Sequence, residues 1–265
     1  MKNQFKNLLG ENTSLRNKQF LSYVQCATSK ICRKIPILKY LFEVLFRLRI
    51  AKTFDKNAFQ HEGNVFKHIY RENMWDNSES RSGVGSEISA TITIRKTLPL
   101  LWEKFNVRTF LDVPCGDFNW MNVVDKTGIE YIGGDVVEEI VKKNNEQYGA
   151  PLIRFEKIDI TTDVLPKADM IFCKDCLQHL SYENIFRALY NFKQSGAKYL
   201  MVTSYPLTLR NHDILDGDYR ALNLLKKPFS LPRNYIFRVR EKSDKEELEI
   251  DKTKYLWKLS DILNN

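Results

Sequence analysis

The sequence predicts an α/β domain built on a doubly wound, mostly parallel sheet, preceded by an N-terminal helical extension. Two observations support this. From Val107 onward, short apolar runs alternate with amphipathic helical stretches, as is typical of parallel βαβ units. Residues 1–60 instead show little strand-type alternation and a basic helical pattern. We therefore expect an extension at residues 1–60 and an α/β domain at residues 61–265.

Successive elements can be placed from Val107 to the C-terminus. The first predicted strand reads as buried, the helix after the second strand is polar, and Ser181 is a good N-cap for the helix after the fourth strand. The predicted strands are residues 108–113, 130–133, 151–158, 168–173, 197–203, 235–239 and 255–259. The predicted helices are residues 136–148, 181–195 and 216–225, and the charged stretch 240–254 is expected to be an exposed hairpin loop.

Composition narrows the class of protein. Hydrophobic residues make up 43% of the 265-residue chain and charged residues 28%, which excludes a wholly disordered chain. The polar N-terminus lacks a secretory signal, and no apolar run reaches the roughly 18 residues of a membrane span. Five scattered cysteines indicate thiols in a reducing compartment. These features predict a cytoplasmic protein, which could also lie at the inner face of the membrane.

The extension contains one strongly apolar stretch, residues 35–50. Lys39, Glu43 and Arg47 recur there every four residues and form a narrow polar stripe on a predicted helix. Such a helix can contact a membrane surface or a partner. Packing on the α/β domain is the interpretation we favour. The net charge of +8 fits an anionic partner or simply a solvated basic surface.

Acidic residues follow four successive predicted strands. Asp112, Asp135, Asp159 and Asp175 each come at or just after a strand end. The carboxyl ends of parallel strands form the ligand-binding edge of such sheets. A carboxylate there is costly unless it accepts hydrogen bonds. The pattern therefore predicts a binding site at this edge.

The spacing of these acids indicates a nucleoside ligand. Asp135 lies 23 residues after Asp112, where an acid can accept hydrogen bonds from both ribose hydroxyls. The turn after the first strand lacks a G-x-G-x-x-G motif and keeps only Gly116, beside Asp117. Because an added acid would repel a pyrophosphate, the turn favours a nucleoside that bears a positive sulfonium and an amino-acid tail.

These segments resemble motifs I to IV of class I S-adenosylmethionine-dependent methyltransferases. The resemblance covers about residues 85–205 and implies the Rossmann-like, seven-stranded sheet of that class, with a terminal antiparallel hairpin. Four sequence segments are also similar to a group of small bacterial methyltransferases that often accompany enzymes of surface-polysaccharide biosynthesis. They are residues 69–75, 79–86, 111–121 and 174–181. Motif I departs from the family pattern, because Pro114 and Phe118 replace its first and third glycines.

The resemblance implies S-adenosyl-L-methionine as the cofactor and assigns residues to it. Asp112 and Gly116 line its methionine half, and Asp135 binds the ribose. Asp159 and the backbone of Ile160 hold the adenine edge, and Cys173 is the wall near the sulfonium.

Asp175 and His179 are the candidate catalytic pair. On a helix after strand four they would share a face, so that the carboxylate raises the basicity of the imidazole, which takes a proton from a substrate hydroxyl. The alternative is a histidine that packs or orients a loop. Cys173 and Cys176 form a C-x-x-C motif, for which we favour packing over redox chemistry. No residue cluster has convincing metal-ligand spacing.

Candidate acceptor contacts lie on both sides of the core. Tyr70 and Trp75 can stack on the adenine or a sugar, or pack a helix. The hydroxyl-rich segment 80–86 can fold over the site as a lid. Arg210 and His212 follow strand five and can bind the acceptor, or belong to a solvated loop.

The sequence therefore predicts a methyltransferase that O-methylates a small polar acceptor, such as a sugar or sugar phosphate used in surface-glycan synthesis. The expected partner is a small molecule rather than a nucleic acid, with peripheral membrane contact through residues 35–50 as a further prediction. The alternatives are a nucleic-acid methyltransferase, which the net charge would favour, and a non-enzymatic binding protein on the same scaffold, which the missing glycines would favour.

Overall fold

A computed structural model describes residues 64–241 and 251–262. The predicted extension at residues 1–60, with its apolar stretch 35–50, lies outside the described residues. So does the middle of the charged stretch 240–254. Among the described helices, none is long and apolar enough to cross a membrane.

The described residues form one seven-stranded sheet in the order β3-β2-β1-β4-β5-β7-β6. Strands β1 to β5 pair in parallel, and β7 runs antiparallel to both β5 and β6. This confirms the predicted fold class. The strands are β1 Thr109–Asp112, β2 Glu130–Asp135, β3 Ile153–Lys157, β4 Met170–Cys173, β5 Tyr199–Ser204, β6 Phe237–Arg240 and β7 Thr253–Lys258.

Helices cover both faces of the sheet. They are α1 Val65–Arg71, α2 Ile92–Lys104, α3 Asn119–Asn122, α4 Glu138–Tyr148, α5 Tyr182–Gln194 and α6 Leu259–Ile262, and single 3-10 turns span Val84–Ser86, Ser89–Thr91 and Leu177–His179. The Ser181 side chain caps α5, as predicted, by accepting a hydrogen bond from the Asn184 N–H at 3.4 Å.

The central strands are buried on both faces, as a doubly wound sheet requires. On β1, Leu111 faces a core cluster shared with α5, and Phe110 faces a second cluster shared with α2. Both side chains are fully buried. Between them the clusters account for the continuous apolar runs that predicted these strands.

Two local predictions are wrong. The 216–225 stretch is not a helix, because Gly217 has a φ of +92° and its N–H donates to the His179 carbonyl oxygen instead of to a helical turn. The end of the charged stretch is also not exposed, since Lys252 is 8% exposed and Lys254 is fully buried. Both lysines pair with the partly buried carboxylate of Asp175.

The strand order reverses direction between β1 and β4, and this point marks the predicted ligand-binding edge of the sheet. From β1 the chain moves outward through β2 and β3, and then returns to the other side of β1 as β4. The loops after β1 and β4 therefore leave in opposite directions and open a crevice between them.

Candidate active site

A cavity of about 300 Å³ lies in this crevice. The loops that follow β1, β2, β3 and β4 form its floor, and the 64–86 region forms its roof. Its volume is at the small end of the range for small-molecule sites. Predicted site residues that line it are Tyr70, Trp75, Asp112, Gly116, Asp135, Asp159, Ile160, Asp175 and His179.

The turn after β1 depends on a single glycine. Gly116 has a φ of +55°, and a Cβ atom there would lie 2.3 Å from the Ser82 Oγ. Phe118, at the position of the missing third glycine, also takes a left-handed conformation with a φ of +59°, and its ring is buried against Tyr131 and Phe155. Aromatic packing thus holds the turn at a position where the motif that it resembles has a glycine.

Asp135 ends β2 with its carboxylate at the cavity wall. Its two oxygens accept hydrogen bonds from the Gly116 N–H at 3.1 Å and the Val137 N–H at 2.9 Å. Burial raises the pKa of Asp135 to about 6, against the lowering effect of these bonds. The carboxylate is therefore held in one orientation by the loops that follow β1 and β2.

Asp112 is the second buried acid of the floor. It is 2% exposed and accepts a hydrogen bond from the Tyr131 hydroxyl at 2.7 Å. Burial raises its pKa to about 7, although the Tyr131 bond and the Lys174 charge oppose this shift. A cation in the cavity would favour the ionised form of both Asp112 and Asp135.

The loop after β3 contributes Asp159, Ile160 and Thr161 to the wall of the cavity. The Asp159 carboxylate accepts hydrogen bonds from the N–H and the hydroxyl of Thr161, at 2.8 and 2.6 Å. Asp159 thus stabilises its own turn and also borders the cavity.

Cys173 does not form the wall predicted for it. Its side chain is fully buried in the core of β4, and Cys176 borders the cavity instead. The strand ends at Cys173, and an inward-facing residue at that position cannot reach the crevice. Both thiols are free, and no group of three or more potential metal ligands occurs in the described parts of the chain.

Asp175 lies in a network of lysines. Its oxygens are 2.6 Å from the Lys174 Nζ, 2.7 Å from the Lys252 Nζ and 3.2 Å from the Lys254 Nζ. The Thr203 hydroxyl donates to it at 2.9 Å. Burial opposes its ionisation, but the lysines outweigh burial and hold the pKa of Asp175 well below its usual range.

The predicted pairing of Asp175 with His179 on one helix face is therefore wrong. Asp175 has a φ of +53°, only a 3-10 turn spans Leu177–His179, and α5 begins at Tyr182. The His179 Nδ1 lies 2.9 Å from the Asp218 carbonyl oxygen instead. Since a carbonyl only accepts, Nδ1 carries a proton, and in a neutral ring Nε2 is then the nitrogen that can accept one.

The predicted lid is attached to the floor by Asp117. The Asp117 carboxylate accepts hydrogen bonds from the Ser80 hydroxyl at 2.9 Å and the Arg81 N–H at 2.9 Å. At its other end, the Gly85 carbonyl accepts a hydrogen bond from Lys174 at 2.7 Å. Sequence analysis noted Asp117 only as an acid that disfavours pyrophosphate, and the only available signal was its place directly after Gly116.

The predicted acceptor residues divide into two groups. Tyr70 and Trp75 line the cavity, and the Trp75 ring lies 5.7 Å from that of His179. Arg210 and His212 do not line it. The buried Asn211, which bonds to the Asn223 and Lys227 carbonyls at 2.9 and 2.8 Å, fixes their stretch of chain away from the crevice.

The solved structures that match this chain include S-adenosylmethionine-dependent methyltransferases. The N-methyltransferase NodS from Bradyrhizobium japonicum WM9, in complex with S-adenosyl-L-homocysteine, matches with a TM-score of 0.53 at 14% identity, over 72% of this chain and 97% of NodS. Magnesium protoporphyrin IX methyltransferase from Synechocystis PCC 6803 matches with a TM-score of 0.48 at 14% identity, over 73% and 94% of the two chains. Protein-family models and curated proteins give no match. The likeness to NodS shows that this chain has the class I methyltransferase fold.

The raised pKa of Asp112 predicts a pH-dependent cost in stability. Because the folded-state pKa is about 7 and the unfolded value about 3.8, the cost is complete above pH 7 and absent below about pH 4. Three pKa units correspond to a free energy on the order of 4 kcal/mol. We expect Asp112→Asn to raise the free energy of unfolding at pH 8, and to raise it less at pH 5.

Urea unfolding of the parent and the variant at both pH values measures this effect. The control is Glu103→Gln, an exposed position on α2. A gain that is the same at pH 8 and pH 5 would contradict the assignment.

Proposed function

We propose that this protein is an S-adenosyl-L-methionine-dependent methyltransferase that acts on a hydroxyl of a small polar acceptor. The observation that carries the proposal is the convergence of Asp112, Asp135 and Asp159, from three strand ends, on one cavity. When bound, the cofactor supplies an electrophilic methyl group on a sulfonium. The rest of the reaction depends on what the side chains of this chain bind, orient and deprotonate.

The cavity residues fit such a cofactor. Asp135 presents a fixed carboxylate at the end of β2, where a ribose can donate to it, and Asp112 offers negative charge to a cationic ligand. The turn contributes Gly116 to the cavity lining, and the Ser82 side chain of the lid occupies the space beside its Cα atom. These features support S-adenosylmethionine over a pyrophosphate-bearing dinucleotide.

We assign deprotonation of the acceptor to His179. Its ring borders the cavity, and the bond from Nδ1 to the Asp218 carbonyl leaves Nε2 as the basic nitrogen. Asp175 is a poor candidate base, because the lysines around it favour its ionised, fully paired form. Asp175 remains a proposed orienting residue, and His179 remains the proposed proton acceptor.

We further propose that the acceptor is a sugar or sugar phosphate of surface-glycan synthesis. Aromatic rings, here Tyr70 and Trp75, suit the apolar face of a sugar. The sequence segments that border the cavity resemble those of glycan-associated methyltransferases, which supports the same acceptor.

The charge distribution supports a membrane-facing N-terminus. Residues 1–63 hold 12 Lys and Arg but only 4 Asp and Glu, whereas residues 64–265 hold 29 of each kind. The net charge of +8 therefore belongs entirely to the N-terminal segment, which also contains the apolar stretch 35–50. A basic, apolar segment beside a charge-balanced domain fits an anionic membrane surface better than it fits a nucleic-acid groove on the domain.

Asp135→Ala tests the cofactor site. Loss of two charge-assisted hydrogen bonds from a ribose should weaken binding by about 2–4 kcal/mol, roughly 30- to 1000-fold. Isothermal titration calorimetry with S-adenosylmethionine measures the affinity. Glu146→Gln, an exposed carboxylate on α4, is the matched control. An unchanged affinity in folded Asp135→Ala would refute the assignment.

Substitutions of His179 test the base. If Nε2 accepts the proton, His179→Gln and His179→Ala should both lower kcat by about 10²- to 10⁴-fold while leaving the affinity for cofactor nearly unchanged. The parent rate should rise as the imidazole loses its proton and then become constant. Near-parental kcat in His179→Gln, at equal folded fraction, would show that the ring only packs.

Vesicle co-sedimentation tests the membrane surface. The full chain should bind vesicles that contain anionic lipid, and less of it should bind at high salt, because surface electrostatics are screened. Binding should be lost on deletion of residues 1–50. Equal binding to neutral vesicles, or retention of binding after the deletion, would argue against this role.

A further inference from the structure

The backbone around His179 is held by a second segment, residues 213–220. The Gly217 N–H donates to the His179 carbonyl at 2.8 Å, and the Arg220 N–H donates to the Gln178 carbonyl at 3.1 Å. The Arg220 Nη1 donates to the Leu180 carbonyl at 2.7 Å. Arg220 therefore binds the carbonyl groups on both sides of His179, one through its backbone and one through its side chain.

The same segment fixes the imidazole itself. The Asp218 carbonyl accepts the hydrogen bond from Nδ1, and the Tyr219 ring lies 5.5 Å from the imidazole ring. Asp216 binds the Ser181 N–H at 2.6 Å and borders the cavity. The tautomer and direction of His179 thus depend on how the 213–220 segment sits against residues 178–181.

We propose that Arg220 is a positioning residue for His179, holding the 213–220 segment in the register that directs the Asp218 carbonyl to Nδ1 and Nε2 to the cavity. This inference rests on the proposed function for the catalytic role of His179. Its geometric part, the control of the tautomer, stands independently of activity.

The environment of Arg220 argues against a purely stabilising role. The residue is 2% exposed, and its Nε and Nη2 atoms have no hydrogen-bond partner among the described residues. Burial lowers its pKa to about 10, and the neighbouring charges of Asp213 and Asp216 compensate only in part. A buried guanidinium with unsatisfied donors is costly to the fold. Such a cost is typical of residues retained for function.

Tyr182 explains how the side chain stays in place. The guanidinium carbon lies 5.2 Å from the centre of the Tyr182 ring, within range of a cation–π contact. The Tyr182 N–H donates to Asp213 at 2.7 Å, so the start of α5 and the 213–220 segment enclose Arg220 from two sides. These contacts hold the Arg220 guanidinium where its Nη1 donates to the Leu180 carbonyl.

Nitrogen NMR of the histidines tests the geometric part. The chain has four histidines, which makes the ¹⁵N imidazole signals of His179 assignable with a His179→Gln reference. The parent should show His179 protonated on Nδ1. In Arg220→Met the Nδ1-protonated form should decrease, and in Arg220→Lys, which can still donate to the Leu180 carbonyl, it should be largely retained.

Kinetics test the functional part. Arg220→Met should lower kcat about 10- to 100-fold through misplacement of the base, with the affinity for S-adenosylhomocysteine within about twofold of the parent. Arg220→Lys should recover most of kcat. The control is Arg233→Met, an exposed position in the same irregular stretch of chain.

Two results would overturn the proposal. One is an unchanged His179 tautomer in Arg220→Met, with any loss of activity proportional to the loss of folded protein. The other is an unchanged kcat in folded Arg220→Met although His179→Gln is inactive. If the tautomer responds to Arg220 but His179→Gln keeps full activity, the positioning of the ring stands and its role as the base fails.

Discussion

The ion-pair network of Asp175 is the interaction on which the rest of the site depends. This carboxylate follows β4 and is bound by Thr203 at the end of β5 and by two lysines at the start of β7. Through Lys174 the network also reaches Gly85 in the lid. It thus joins the parallel half of the sheet, the antiparallel hairpin and the roof of the cavity. Loss of Asp175 alone would remove one carboxylate partner from each of the three lysines. Glu241 would still pair with Lys254, so the buried charges would be compensated only in part, which is unfavourable.

The acids of the site fall into two electrostatic groups. Asp175 is stabilised in its charged form by neighbouring cations, whereas burial destabilises the charged forms of Asp112 and Asp135. The first group supports the scaffold. The second stores unfavourable energy, which the proposed cationic ligand would relieve on binding, so that affinity would be obtained at the expense of stability. This contrast separates Asp175 from Asp112 and Asp135 more clearly than their common position at strand ends does.

Much of the fold was predictable, because it follows from local patterns. Short apolar runs predicted all seven strands. The acids at the strand ends predicted which residues form the floor of the cavity. The 216–225 stretch was not predictable from its own residues, since the His179 and Gln178 carbonyls bind N–H groups that a helix would use. Long-range contacts of this kind leave no periodic signal.

The errors within the site have the same origin. Spacing of four residues suggested that Asp175 and His179 share a helix face, but the left-handed backbone at Asp175 places them apart. Two of the three lysines that bind Asp175, Lys252 and Lys254, lie almost 80 residues later in the chain, so no local pattern reveals them. The anchoring role of Asp117 depends likewise on Ser80 and Arg81, which become neighbours only after folding. The role of a site residue could be predicted where its type and its place at a strand end were enough. It could not be predicted where its partners come from distant segments of the chain.

The contact between Gly116 and Ser82 constrains which substitutions can occur at these two positions in evolution. The floor turn and the lid touch so closely that a side chain of any size at position 116 would overlap the hydroxyl at position 82. A Cβ atom at position 116 therefore requires the Ser82 side chain to move or to be lost, and the φ of +55° adds backbone strain for a residue other than glycine. Loss of the Ser82 side chain would also remove its hydroxyl from Asp117, to which it donates one hydrogen bond and from which it accepts another. Among related sequences, the identity of residue 82 should then be statistically linked to that of residue 116, although 33 intervening residues separate them.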